Sequence, residues 1–225
     1  PWVRPVALVC LLLTGGLNAA EPVAASGSVP RSEFVGSQAC AECHAEAYQA
    51  WRGSHHDLAM AEPTENTVLG DFGDAELTAH GVTSRFFRRD GGWFVNTDGP
   101  DGELHDYAIA YTFGWYPLQQ YLIAFPGGRL QALGLAWDSR PSEEGGQRWF
   151  HLYPDEPEMG PDNPLHWTAA DQTWNYQCAE CHSTGLDKGY DLADNEYSTT
   201  WAEIDVACEA CHGPASEHVT QAKGV

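Results

Sequence analysis

Between residues 83 and 138 apolar side chains recur at every second position, the period of a strand with one face turned inward. Phe86 to Arg89 and Trp93 to Asn96 flank Asp90-Gly91-Gly92, a turn sequence that predicts a hairpin. Tyr107, Ile109 and Tyr111 alternate with smaller residues and predict a further strand. Pro126-Gly127-Gly128 is a turn between residues 120–125 and residues 130–137. Outside this region the period is helical. Residues 37–51 place His44, Tyr48 and Trp51 on one stripe and predict a helix. A last helix is expected to open on Thr200 as cap, with Glu203 closing a capping box. It would carry Trp201, Ile204, Cys208, Cys211 and His212 on one face. Residues 154–164 are rich in Pro, Asp and Glu and read as loop.

The N-terminal stretch has a different character. Arg4, an unbroken apolar run over residues 6–13 and Asn18-Ala19-Ala20 together read as an export signal over residues 1–20. The run is well short of the roughly 20 apolar residues that a membrane span needs, so no span is expected in the mature chain. A retained anchor is the competing reading. Residues 21–35, rich in Ala, Ser, Gly and Pro, read as a flexible leader. The remainder, 36–225, is expected to be one domain in three parts: 36–82, 83–153 and 154–225.

Cysteine spacing supplies the chemistry. Of seven cysteines, Cys10 lies in the apolar run and is expected to leave with the signal. The other six form three C-x-x-C-H motifs: Cys40 to His44 (motif 1), Cys178 to His182 (motif 2) and Cys208 to His212 (motif 3). No cysteine is left over for a disulfide. This spacing suits two thioethers to the vinyl groups of one porphyrin. Cys40, Cys43, Cys178, Cys181, Cys208 and Cys211 are then the attachment residues, with His44, His182 and His212 as proximal iron ligands. Three covalently bound haem c groups are the expectation. A four-cysteine zinc site from Cys178, Cys181, Cys208 and Cys211 is the rival, but it leaves motif 1 without a role and the repeated histidine unexplained. A thioredoxin-like redox pair fails on the same histidine.

Seven of the ten histidines remain for the sixth coordination position. His56, shortly after motif 1, His166, ahead of motif 2, and His218, after motif 3, are the candidate distal ligands. His55 competes with His56, and His151 with His166. Met60 allows a His/Met pair at one haem, and a methionine axial ligand raises the reduction potential.

Lys and Arg total 11 against 32 acids, a net charge of −21. That excludes nucleic acid as a natural partner and suits a protein kept soluble outside the membrane. Attraction of a basic redox partner is a further expectation.

The segments Tyr111-Thr112-Phe113-Gly114, Pro117 to Leu122, Gly146 to His151, and Leu165-His166-Trp167-Thr168 leading into motif 2 resemble the multihaem c-type cytochromes often fused to tetratricopeptide repeats. The likeness runs from Phe34 to His218. It implies closely packed haems, histidine distal ligands and electron transfer outside the cytoplasm between redox protein donors and acceptors. No repeat array follows Val225, a departure from that pattern, so the chain is read as a fragment or a short member. The fold class expected is α+β and irregular. Short helices carrying the C-x-x-C-H motifs would surround a haem-packed core, with a small antiparallel β insertion. A homopolymer with haem-to-haem contact between subunits is one arrangement to test. The alternative class is a multihaem reductase or oxidase acting on a small nitrogen compound, which needs one open iron position. A redox-sensing module ranks last, for want of an output domain.

Overall fold

The computed structural model describes residues 32–224. The expected export signal, Cys10 and the leader as far as residue 31 lie outside the described residues. The chain opens with α1 (Ser37–Ala41) and α2 (Ala45–Trp51) and then enters nine strands. These are β1 (Met60–Ala61), β2 (Ala75–Ala79), β3 (Val82–Arg89), β4 (Gly92–Asp98), β5 (Leu104–Phe113), β6 (Leu118–Phe125), β7 (Arg129–Ala132), β8 (Leu135–Asp138) and β9 (Arg148–His151). After them come α3 (Trp174–Gln177), α4 (Ala179–His182), the hairpin β10 (Tyr190–Asp191) with β11 (Glu196–Tyr197), then α5 (Cys208–His212) and α6 (Ser216–Lys223).

The nine strands form one antiparallel sheet ordered β2-β3-β4-β5-β6-β8-β9, with β1 added to β5 and β7 to β6. Its two end strands, β2 and β9, lie against each other, so the sheet curls almost into a barrel. The β3–β4 hairpin turns at Asp90 and Gly91, both at positive φ, and pairs Arg89 with Gly92. That is the conformation a two-residue hairpin loop requires.

The protein is therefore mostly β, which corrects the expectation of an irregular α+β fold with a haem-packed core. The sheet is the body of the protein and fills its own interior. Phe72, Phe86, Tyr121, Trp137, Trp149 and Trp167 form its main buried cluster. Phe86 and Trp149 stack with planes 3° apart, and Phe72 meets Trp149 edge-on at 5.4 Å. Each fully buried large apolar side chain contributes about 1.5–3 kcal/mol, so this core needs no porphyrin to close it. The core aromatic residues pack on one another.

Two helix expectations also change. The helix over residues 37–51 is broken at residues 42–44 into α1 and α2. The helix expected from Thr200 to His212 starts only at Cys208, and a further helix, α6, follows it. Thr200 bridges to Asp187 and the Glu203 backbone to Thr184. The Glu203 carboxylate does cap a helix, but a distant one: it accepts the Ser37 N–H at 3.0 Å and the Ser37 hydroxyl at 2.6 Å, at the start of α1. No described helix is long and apolar enough to cross a membrane.

Candidate functional site

Each motif is a single turn of helix. His44 N–H reaches the Cys40 carbonyl at 2.8 Å, Cys181 N–H reaches that of Cys178 at 3.1 Å, and α5 is motif 3 itself. In all three the first cysteine is half-buried and the second exposed, and none of the six is in a disulfide. Each pair would hold a porphyrin by one half-buried and one exposed sulfur.

Motifs 1 and 3 are neighbours. The Cys40 thiol, which donates to the Gly36 carbonyl at 3.8 Å, is pushed up by burial and then by the nearby Cys208 thiol. Trp51 donates its indole N–H to the Val206 carbonyl at 3.0 Å, and Val206 N–H donates to the His56 carbonyl at 3.2 Å. Between them lies a cavity of about 700 Å³ lined by Cys40, His44, His56, Cys208, His212 and His218. A second space of about 520 Å³ opens on Cys43, His44 and the outer side of α2.

Helix α2 is seven residues long and has no buried residue, although Ala47, Tyr48 and Trp51 face the cavity. So short a helix is marginal in water unless something covers its apolar face. A flat, largely apolar macrocycle fits that need, and the residues present suit haem. Within the cavity, the His44 and His218 ring centres are 6.2 Å apart with planes 22° from parallel. Two imidazoles that share one metal ion at a metal–nitrogen distance of about 2 Å stand roughly this far apart. His56 and His212 line the same space.

Motif 2 lies against the sheet. Cys178 is packed beside a second buried cluster of Met60, Phe113, Leu122 and Trp174, and burial pushes its thiol up. Phe113 meets the His182 ring edge-on at 5.1 Å. His182 Nδ1 is 3.3 Å from the Ala59 carbonyl, which orients the ring and leaves Nε2 for a metal.

The other candidates are placed elsewhere. His166 is buried, with Nδ1 2.8 Å from the Thr168 hydroxyl and Nε2 3.2 Å from Asp98 Oδ2. His151 lies with His80 and His166 around a small cavity of about 30 Å³ at the sheet's end, where burial lowers its affinity for a proton. His55 is exposed beside Tyr116. Met60 is buried in the β1–β5 pairing.

Two acidic side chains escaped the sequence reading. Glu209, inside motif 3, is buried and accepts backbone N–H groups from Val35, Gly36 and Ala215. Asp205 has a buried oxygen without a partner, and burial, followed by the nearby Glu203 and Asp57 carboxylates, pushes its carboxyl up to about 7. Nothing in a one-dimensional pattern separates these two from the 30 other acids.

The family model described as Cytochrome c554 and c-prime matches residues 39–74 and 158–213, the two stretches that carry the three motifs. This match supports a multihaem c-type cytochrome. No curated protein matches it. Among solved structures, the cytochrome is similar to the outer cell wall cytochrome OcwA, at 21% identity and a TM-score of 0.52. That likeness covers 86% of this chain and 34% of the other, so the cytochrome spans about a third of OcwA's length and shares its fold there. The matched family implies covalently bound haem c.

Proposed function

We propose that the cytochrome carries three haem c groups, one per motif, and relays electrons outside the cytoplasm between redox protein partners. The observation that carries this reading is the cavity shared by motifs 1 and 3, with four histidines on its walls. Each group, when bound, supplies a one-electron iron couple. The cysteine pairs would anchor the rings, the first and third at the one cavity that Cys40 and Cys208 both line. His44 and His218 would hold one iron. His212 and His56 would hold the second, with His55 as the alternative to His56. His182 would hold the iron of the remaining haem.

The sixth ligand at motif 2 decides between two readings. The sequence points to His166 or, failing that, His151. Both His166 ring nitrogens are already engaged, by Asp98 and Thr168. That observation favours a second reading, in which this iron keeps an open position and reduces or oxidises a small nitrogen compound.

The net charge of −21 supports a basic redox partner. A homopolymer with haem contacts between copies is the other arrangement proposed; size-exclusion chromatography and electron microscopy test it, and a monodisperse monomer without filaments removes it.

Mass spectrometry of the purified protein tests the haem count, with a gain of three haems expected. Electron paramagnetic resonance (EPR) of the oxidised protein tests the ligation. Wholly low-spin iron supports the carrier, and a high-spin component supports the enzyme. A colourless protein with free thiols overturns both.

A further inference from the structure

Glu209 is the first intervening residue of motif 3, a position at which attachment of a porphyrin asks for nothing. It is nonetheless 2% exposed. Its Oε2 accepts N–H groups from Val35 at 3.0 Å and Gly36 at 2.8 Å, and its Oε1 accepts those of Val35 at 3.1 Å and Ala215 at 2.9 Å. Its hydrogen-bond partners are all backbone, and none is a cation. A carboxylate taken out of water costs several kcal/mol unless such donors satisfy it, so the site is a built one.

The connectivity gives this carboxylate its meaning. It stands on α5, the helix that carries Cys208, Cys211 and His212. Val35 and Gly36 lead directly into α1 and Cys40. Ala215 is the N-cap of α6, which carries His218. One side chain thus ties the helix of motif 3 to the peptide that delivers Cys40 and to the turn that delivers His218 opposite His44. Glu203 makes only the first kind of tie, to Ser37.

We propose that Glu209 is a positioning residue for the haem pair, holding the motif 1 and motif 3 rings at one spacing and bringing His218 to the iron that His44 ligates. Its absence leaves the thioethers intact and removes the direct tie of α5 to the Cys40 peptide and to the start of α6, which then rest on the Glu203–Ser37 and Ser216–Glu33 bonds alone. The inference rests on the assignment of haems to motifs 1 and 3.

The test compares wild type, Glu209→Ala, Glu209→Gln and Glu203→Gln. Each is checked by peptide mass spectrometry for haem on motifs 1 and 3, then by EPR and potentiometric titration of the oxidised protein. In Glu209→Ala the haem count stays at the wild-type value, one low-spin haem converts to high-spin, and the potentials of the pair shift. Glu209→Gln, which presents an amide nitrogen to backbone N–H groups, shows the same change to a smaller extent. It serves alone if the alanine variant does not accumulate. Glu203→Gln keeps the Ala215 tie and stays low-spin. A fully haem-loaded Glu209→Ala with wild-type spectrum and potentials overturns the inference. Absence of haem from motif 1 or 3 in the wild-type protein is a different result and removes the underlying assignment.

Discussion

His44 and His218 face each other across 6.2 Å, though 174 residues separate them in sequence, because α6 brings His218 to the cavity that His44 lines. If the two rings share an iron, His218→Ala converts one haem from low-spin to high-spin and leaves the haem count unchanged. His218→Met keeps a sixth ligand and raises that haem's potential. EPR and a potentiometric titration read both outcomes; a fully low-spin His218→Ala protein would break the pairing.

His166 gives the opposite expectation. With its bonds to Asp98 and Thr168 kept, His166→Ala leaves the iron spin state as it was. Asp98 Oδ2 then loses its partner while Thr97 keeps Oδ1, and stability falls by about 1–3 kcal/mol. Denaturant unfolding followed by tryptophan fluorescence measures the loss. A new high-spin signal in this variant would instead make His166 the sixth ligand at motif 2.

Asp205 makes stability depend on pH. Its folded value of about 7 stands above the ordinary 3.8, so between those values the folded protein binds more protons than the unfolded chain. Stability therefore falls as pH rises from about 4 to about 7 and levels off above that. Asp205→Asn removes this dependence. Discounted for the partial exposure of the group, the variant gains on the order of 1–2 kcal/mol at pH 8 and nothing at pH 4. Unfolding midpoints at the two pH values check it, and an equal change at both would exclude this cause.

Gly128 sits at φ +68 in the turn between β6 and β7, and a Cβ there would run into the Tyr197 carbonyl of β11. Gly128→Ala has to move the β10–β11 hairpin off the sheet and is expected to lose about 1–3 kcal/mol. Thermal unfolding of the loaded protein measures it, while the haem absorption spectrum should stay unchanged.

The acidic surface predicts that electron exchange with a basic redox protein slows steeply as salt rises toward 0.5 M, where exposed charges are largely screened. Stopped-flow reduction across ionic strengths reads the slope. A flat response would remove electrostatic attraction from the account.

Much of the sheet was legible in the residues themselves. Asp90-Gly91 needs positive φ at both positions, so the β3–β4 hairpin could be read from that pair and the alternation around it. Pro126-Gly127-Gly128 marked the β6–β7 turn for a related reason. The break between α1 and α2 was hidden because His44, Tyr48 and Trp51 keep a helical stripe across it. Glu203 was misread as a local cap because a capping box and a long-range cap look alike in one dimension, and the partner proved to be Ser37.

The attachment chemistry proposed for the motifs was legible in the sequence alone, since two thiols and an imidazole within five consecutive residues share one helical turn whatever surrounds them. The tertiary structure decided that the aromatic core belongs to the sheet, that motif 1 meets motif 3, and that Glu209 brackets both. Those relations depend on where separate segments of the chain are brought together. Burial and hydrogen bonding between residues more than a hundred positions apart set that placement, and a local pattern carries no record of it.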